Sequence, residues 1–249
     1  MEMDSVEGDP FKHFSISDDW CKLLNKDERD VCPKCTKSRM YFCYTCYVPM
    51  NEFRDITPRV KLPLRIDIIK HPKEIDGKST AVHAAIISPD DVNMYIYPSI
   101  PNYNELSNVI LIFPSKDAFC LEEAIKQTSL LTGEEGSEQL FNQVVFIDST
   151  WNQCRTILND SRIKGLPRVV LKKRESQFWR HQKGSPITHL ATIEAIHQFL
   201  VEYYNCTSGG KEYDGRYDNI LFFFKFMYHK IHSLYDHNDL LSYKRPMLQ

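Results

Sequence analysis

Four cysteines with metal-ligand spacing lie near the start of the chain. They form two Cys-x-x-Cys pairs separated by seven residues, namely Cys32 with Cys35 and Cys43 with Cys46. Each pair makes a turn that aims two thiolates at one point, and two turns at the ends of a short hairpin can close a tetrahedral site. We interpret the group as structural zinc. The alternatives are unrelated buried or redox cysteines and an iron–sulfur cluster. A closed four-thiolate site has no open position for substrate, so we expect it to act in folding.

A carboxylate, two hydroxyl groups and an indole follow one another in the segment Asp148-Ser149-Thr150-Trp151. The apolar residues before this segment are typical of a buried strand, and a helical pattern follows it. In open α/β sheets, ligands bind beyond the carboxyl ends of the strands, so the segment is a candidate active site. The alternative is that Asp148 or Ser149 only caps the helix.

A basic stretch follows the last predicted strand. Between residues 162 and 183 eight Lys and Arg residues accompany one acid, Glu175, and aromatic side chains interleave with the charges. This composition favours a surface that binds a polyanion through its phosphates and stacks on bases, although a solvated strand and loop face would have similar residues. The candidate contact residues are Lys172, Lys173, Arg174, Trp179, Arg180 and Lys183.

The elements that must position these residues alternate between strands and helices. Apolar runs predict strands within 60–70, 92–100, 108–114, 144–148 and 168–173, and helical patterns cover 119–131, 150–160, 190–205 and 217–236. Alternation of this kind predicts an α/β fold with a mostly parallel sheet and flanking helices. We divide the chain into a flexible tail (1–30), a zinc-binding module (31–50) and a catalytic domain (51–249). The aromatic stripe of the last helix is typical of core packing.

Several classes of protein are disfavoured by composition. The chain has 249 residues, with 31 Lys and Arg against 33 Asp and Glu, so any nucleic-acid surface must be local. It has only 9 glycines and no Gly-x-Gly-x-x-Gly, P-loop, His-Glu-x-x-His or Gly-x-Ser-x-Gly motif. No apolar run is long enough for a membrane span. The acidic start does not resemble a secretion signal, so we expect an intracellular protein.

Several motifs in order make the chain resemble the DTW-domain family. They are the paired Cys-x-x-Cys module, His71-Pro72-Lys73-Glu74 followed by Ser79-Thr80, Pro114-Ser115, Asp148-Ser149-Thr150-Trp151 and Thr192-Ile193-Glu194-Ala195. The resemblance implies a tRNA-uridine aminocarboxypropyltransferase with a SPOUT-like sheet, of a type that can be knotted. Such enzymes transfer the 3-amino-3-carboxypropyl group of S-adenosylmethionine to N3 of a D-loop uridine, here position 20, and release methylthioadenosine. An RNA methyltransferase and a non-catalytic zinc-ribbon RNA-binding protein are the alternatives.

The resemblance also implies roles for individual residues. Asp148 would be the general base, with Thr150 and Trp151 beside it; Trp151 would stack on adenine or uracil, or else pack the helix on the sheet. Residues expected to bind the cofactor are Phe113, Pro114, Ser115, Asp148, Leu166, Pro167, Thr192 and Glu194. We expect His71 to be structural rather than catalytic. The partner would be tRNA, with no membrane and no obligate protein partner, in the nucleus or the cytoplasm; the resemblance favours the nucleus.

Overall fold

A computed structural model of the chain describes residues 9–132, 140–179 and 186–234. Its N-terminal part contains two small antiparallel hairpins. Strand β1 (Asp30–Val31) pairs with β2 (Ser38–Arg39), and β3 (Phe42–Cys43) pairs with β4 (Val48–Pro49). The two hairpins belong to separate sheets.

Each Cys-x-x-Cys pair forms the turn of its own hairpin. The N–H of Thr36 donates to the carbonyl of Cys32 at 3.0 Å, and the N–H of Tyr47 donates to that of Cys43 at 2.8 Å. Thr36 and Tyr47 both adopt a positive φ, 57° and 53°, immediately after the second cysteine of each pair. The expectation that the two turns lie at the ends of one short hairpin is therefore wrong, because each turn belongs to a hairpin of its own.

Six parallel strands form the main sheet. Their bounds are β5 (Arg65–Lys70), β6 (Val92–Ile96), β7 (Val109–Ile112), β8 (Phe119–Cys120), β9 (Gln143–Asp148) and β10 (Arg168–Val170). The spatial order is β6-β5-β9-β7-β10-β8, and every neighbouring pair is parallel. All four residues of β7 are buried, as expected for a strand covered on both faces. The predicted parallel α/β fold is confirmed.

Helices flank the sheet. In the described part of the chain the α-helices are α1 (Ala81–Ile87), α2 (Leu121–Thr132), α3 (Trp151–Leu158), α4 (Thr192–Thr207) and α5 (Phe222–Leu234). Short 3₁₀ segments lie at Asp18–Asn25, Asn51–Phe53, Asp76–Lys78, Tyr103–Glu105 and Asp218–Leu221. Phe222, Phe223, Phe224 and Phe226 are fully buried, which confirms that the aromatic stripe is core.

Two elements were missed by the sequence patterns. Helix α1 is buried at every residue, so its sequence has no polar face and no 3.6-residue periodicity to reveal it. Strand β8 has two residues, too few for a period. The predicted strand at 168–173 ends at Val170, after which the backbone follows an irregular path to residue 179.

Residues 9–25 contradict the predicted flexible tail. Phe11, Ile16, Trp20 and Leu23 are buried in the main core, and the ring of Phe11 packs against that of Phe224 at 6.0 Å. These four apolar residues are five, four and three positions apart and stand among polar and acidic residues, so they show no regular period in the sequence. The N-terminal segment is therefore part of the folded domain from residue 9 onward.

None of the helices in the described part combines the length and apolar character that crossing a membrane requires.

Candidate active site

Asp148 ends strand β9 near the centre of the sheet, and three segments of the chain meet at it. Its carboxylate is buried; Oδ2 accepts a hydrogen bond from Oγ of Ser79 at 2.7 Å, and Oδ1 accepts one from Oγ1 of Thr192 at 2.7 Å. Its carbonyl accepts from the N–H of His71 at 3.0 Å. Asp148 does not cap α3, so the helix-cap alternative does not describe this carboxylate.

The surroundings of Asp148 make its carboxylate suited to accept a proton. Burial raises the pKa of Asp148, while the hydroxyl donors Ser79 and Thr192 and the positive charge of Lys70 act in the opposite direction. Lys70 is itself buried and forms an ion pair with Asp76. A carboxylate with a raised pKa, close to the reacting atoms, is a group suited to take a proton during a reaction.

Ser79 and Thr80 join the segment before α1 to the start of α4. Oγ1 of Thr80 accepts a hydrogen bond from the N–H of Ile193 at 3.3 Å, and both hydroxyl residues are buried. The pair belongs to one of the family motifs, but the sequence alone indicates no role for either hydroxyl. The available signal was a Ser-Thr pair directly before an apolar run, which also marks an ordinary helix start.

Three aromatic rings meet just beyond the carboxyl ends of β7 and β9. The indole of Trp151 is 40% exposed, and its ring lies 5.6 Å from Phe113 and 4.1 Å from His189, measured between centroids. Trp151 therefore contributes to packing and still offers a surface to a ligand. Thr150 is exposed, and its side chain makes no capping hydrogen bond with the described residues.

The loop after β7 and the first turn of α3 each contain a buried polar group that a ligand could use. Oγ of Ser115 and Oε1 of Gln153 are buried without a hydrogen-bond partner among the described residues. Pro114 is exposed, and Leu166 and Phe113 both pack against the second core cluster of the sheet. The carbonyl of Pro167 accepts from the N–H of Leu111 at 2.9 Å, which ties the loop before β10 to the sheet. Buried orphan groups next to exposed rings fit a nucleoside-like cofactor.

Glu194 has an internal role, which corrects the expectation that it binds the cofactor. Its carboxylate is 1% exposed and accepts hydrogen bonds from Oγ of Ser176 at 2.5 Å, from the N–H of Gln177 at 2.8 Å and from the N–H of Ala191 at 2.8 Å. The protein thus occupies both oxygens. Glu194 anchors the irregular segment after β10 to the first turn of α4.

The basic stretch divides into outward and inward residues. Lys172 and Lys173 are exposed, with Lys172 3.1 Å from Glu122. Arg174 instead turns inward toward Glu194, at 3.9 Å, and burial lowers its pKa. Trp179 is half-buried, its ring 5.1 Å from Phe224. Arg174 and Trp179 are therefore less accessible than Lys172 and Lys173, and their contact with RNA stays a prediction; Arg180 and Lys183 lie outside the described residues.

The four cysteines converge as their spacing predicts. The Sγ atoms of Cys32, Cys35, Cys43 and Cys46 all lie within 4.8 Å of one another, and Cys35 and Cys43 are 3.6 Å apart. A tetrahedral site with zinc–sulfur bonds of about 2.3 Å requires sulfur atoms about 3.8 Å apart. The donor set and its geometry therefore fit a structural metal ion.

Comparison with known proteins identifies the family. The DTW domain matches residues 40–232. The chain belongs to the DTW domain family. It is 43% identical over 256 residues to "tRNA-uridine aminocarboxypropyltransferase 1" of Homo sapiens, covering 90% of this chain and 84% of the human protein. The proteins of the same name from Rattus norvegicus (43%; 90% and 84%) and Xenopus tropicalis (42%; 83% and 81%) are similarly close. No solved structure matches the chain significantly.

Proposed function

We propose that this chain is a tRNA-uridine aminocarboxypropyltransferase that uses S-adenosylmethionine. The observation that carries the proposal is the buried carboxylate of Asp148, held by Ser79 and Thr192 at the carboxyl edge of a parallel sheet. Family membership and the names of relatives at 42–43% identity support it. A binding protein that only holds RNA would have no need for a desolvated carboxylate between two hydroxyl groups.

S-adenosylmethionine would supply the 3-amino-3-carboxypropyl group as an electrophilic carbon next to a sulfonium. We assign the adenine to the exposed face of Trp151, with Phe113 and the loop at Pro114 and Ser115 around it. The backbone at Leu166 and Pro167 would close the other side, and Oγ of Ser115 would find a partner on the nucleoside. Thr192 and Asp148 would lie at the amino-acid end.

The chemistry requires one proton transfer and one substitution. Uridine N3 carries a proton and becomes a good nucleophile when that proton leaves, and Asp148 would take it in its ionised form. The new bond would join N3 to the γ-carbon as the bond from that carbon to sulfur broke, and methylthioadenosine would leave with the electron pair. Holding the two reactants in line supplies much of the remaining acceleration.

Further assignments belong to the same proposal. The four cysteines would hold structural zinc, and Lys172 and Lys173 would contact tRNA phosphates. We propose the D-loop uridine at position 20 as target, a metal module at 31–50, a catalytic domain at 51–249 related to the knotted SPOUT type, and residence in the nucleus or the cytoplasm.

Product analysis tests the proposal directly. The purified chain is incubated with an unmodified tRNA transcript and S-adenosylmethionine, and the nucleosides and small molecules are measured by mass spectrometry. We expect 3-(3-amino-3-carboxypropyl)uridine and an equal amount of methylthioadenosine. Methylated uridine with S-adenosylhomocysteine would instead indicate a methyltransferase, and no S-adenosylmethionine binding would indicate an RNA-binding protein without this activity.

A further inference from the structure

A small cavity separates the cysteine module from the segment that holds Asp148. Its volume is about 160 Å³, and its wall includes Phe42, Tyr44, Ser79, Thr80, His83 and Trp179. One side therefore comes from the second cysteine hairpin and the opposite side from residues before and within α1. Trp179, from the irregular segment after β10, completes the wall.

Two ring nitrogens in this wall lack a hydrogen-bond partner. Nδ1 of His83 and Nε1 of Trp179 are buried and unpaired among the described residues, and His83 is 3% exposed. Burial lowers the pKa of His83 to about 3, so the imidazole is neutral at physiological pH. A neutral imidazole nitrogen donates or accepts according to its tautomer, whereas the indole N–H only donates. Orphan polar atoms of this kind indicate a missing ligand or water.

The rest of the wall combines aromatic rings with the charged side chains of Arg29, Asp76 and Lys78, so it suits a flat, polar molecule. The ring of Phe42 meets the edge of His83 with centroids 5.3 Å apart, and the guanidinium of Arg39 lies 3.9 Å over the ring of Tyr44, which fixes its position. Aromatic walls with a few unpaired polar groups are the usual composition of a nucleobase pocket.

The volume of the cavity distinguishes between the candidate ligands. A cavity of about 150 Å³ accommodates one benzene ring, so the present cavity of about 160 Å³ has room for a single six-membered ring. The larger adenosine of S-adenosylmethionine exceeds this volume and would extend out of the cavity. A uracil ring fits, and its edge carries two carbonyl acceptors on either side of one N–H donor. Trp179 can donate to a carbonyl, and His83 can pair with either kind of group.

The cavity is also connected to the proposed base. Ser79 is one of the wall residues, whereas Asp148 is not, and the hydroxyl of Ser79 donates to Oδ2 of Asp148 at 2.7 Å. A proton that leaves N3 of a base in the cavity would therefore reach Asp148 through this hydroxyl, which passes its own proton to Oδ2 as it takes the one from N3. We propose that this cavity receives the target uracil after the nucleotide swings out of the tRNA stack. This inference rests on the proposed function. It gives the cysteine module a second role, because its Phe42 and Tyr44 form part of the substrate pocket.

Photo-crosslinking tests where the base binds. A tRNA transcript containing 4-thiouridine in place of uridine is irradiated with the full chain, and the crosslinked peptides are identified by mass spectrometry. We expect crosslinks in the peptides that contain residues 40–44 or Trp179. Crosslinks confined to Phe113 or Trp151 would overturn the inference. Failure of the wild-type chain to form the modified nucleoside would instead count against the proposed function, whatever the crosslinks show.

A matched pair of variants provides the second measurement. Trp179→Phe keeps an aromatic ring but removes the unpaired N–H of the cavity, so we expect the KM for tRNA to rise about three- to tenfold, as for the loss of one hydrogen bond. The affinity for S-adenosylmethionine should not change. Trp20→Phe removes another buried, unpaired indole N–H outside this wall and is the control. An unchanged KM for tRNA in Trp179→Phe, or weaker S-adenosylmethionine binding, would overturn the inference.

Discussion

The hydroxyl of Thr192 donates to the carboxylate of Asp148 at 2.7 Å, although the two residues are 44 positions apart in the chain. The bond joins the end of β9 to the first residue of α4. It stabilises the ionised carboxylate and so opposes the rise in pKa that burial causes. Because one lone pair of Oδ1 accepts this hydrogen bond, the other lone pair remains to accept a proton.

Removing this hydroxyl should move the pH dependence of the reaction. Thr192→Val has nearly the same shape but no donor, so the pKa of Asp148 should rise further. A general base works when ionised, and activity is lost as the pH falls through its pKa. We therefore expect the acidic limb of the kcat profile to shift to higher pH.

The control for this shift is on the same helix. Thr207→Val removes a hydroxyl that donates to the carbonyl of Tyr203 at 2.8 Å, at the other end of α4. Its pH profile should match that of the wild type. An identical profile in Thr192→Val would contradict the assigned role of the hydroxyl.

Trp151→Ala should weaken binding of S-adenosylmethionine. Stacking of a base on an aromatic ring contributes about 1–3 kcal/mol, and the exposed indole face is available for it. We expect a rise in the Kd for S-adenosylmethionine, measured by calorimetry, with tRNA affinity preserved. Trp151→Phe keeps a flat ring and should retain most of the affinity. Unaltered binding by the alanine variant would place the adenine elsewhere.

Loss of one cysteine ligand should cost both metal and stability. Cys35→Ser leaves three thiolates, and losing a bound metal costs about 4–5 kcal/mol or more. At about 2–4 °C per kcal/mol for a chain of this size, Tm should fall by about 10–20 °C. Cys206→Ser changes a half-buried cysteine outside the cluster and serves as the control. Equal zinc content and Tm in the two variants would rule out a structural metal at this site.

Substitutions of Arg174 and of its neighbour Lys173 should have different effects on stability and on tRNA binding. Arg174→Gln removes the cation that faces buried Glu194, so we expect a loss of about 1–3 kcal/mol in the free energy of unfolding and little change in tRNA binding. Lys173→Gln should leave stability unchanged and reduce the slope of log K against log salt by about 0.7–0.9. The reverse pattern would restore Arg174 as an RNA contact.

Local patterns were sufficient for the parts of the molecule that depend on neighbours in sequence. The cysteine cluster follows from the Cys-x-x-Cys spacing, and Asp148 follows from its place after an apolar strand. The parallel sheet follows from alternation of strands and helices. In each of these cases the signal is the order or spacing of residues along the chain, and no contact between distant segments is needed to read it.

The features that the sequence did not predict share one cause, namely contacts between segments that are far apart in sequence. Arg174 was grouped with the basic residues around it as a candidate RNA contact, but its side chain lies toward the buried carboxylate of Glu194. Ser79 received no role because its partner Asp148 is 69 residues away. Phe11 and Trp20 are anchors hidden among acids, and their burial depends on α5 at the far end of the chain.

The most direct test of the proposed mechanism is the rate of transfer in Asp148→Asn. Burial raises the pKa of Asp148 above its value in the unfolded chain. The contribution of this group to the free energy of unfolding is therefore fully present below the unfolded pKa and is lost as the pH rises through the folded pKa. The variant should therefore keep a Tm at neutral pH at least equal to that of the wild type, and should still bind S-adenosylmethionine.

Formation of the modified nucleoside by Asp148→Asn, measured by mass spectrometry, should fall by about 10²- to 10⁴-fold, the usual contribution of a general base. A folded variant that binds S-adenosylmethionine and transfers at nearly the wild-type rate would contradict the assignment of Asp148 as the base.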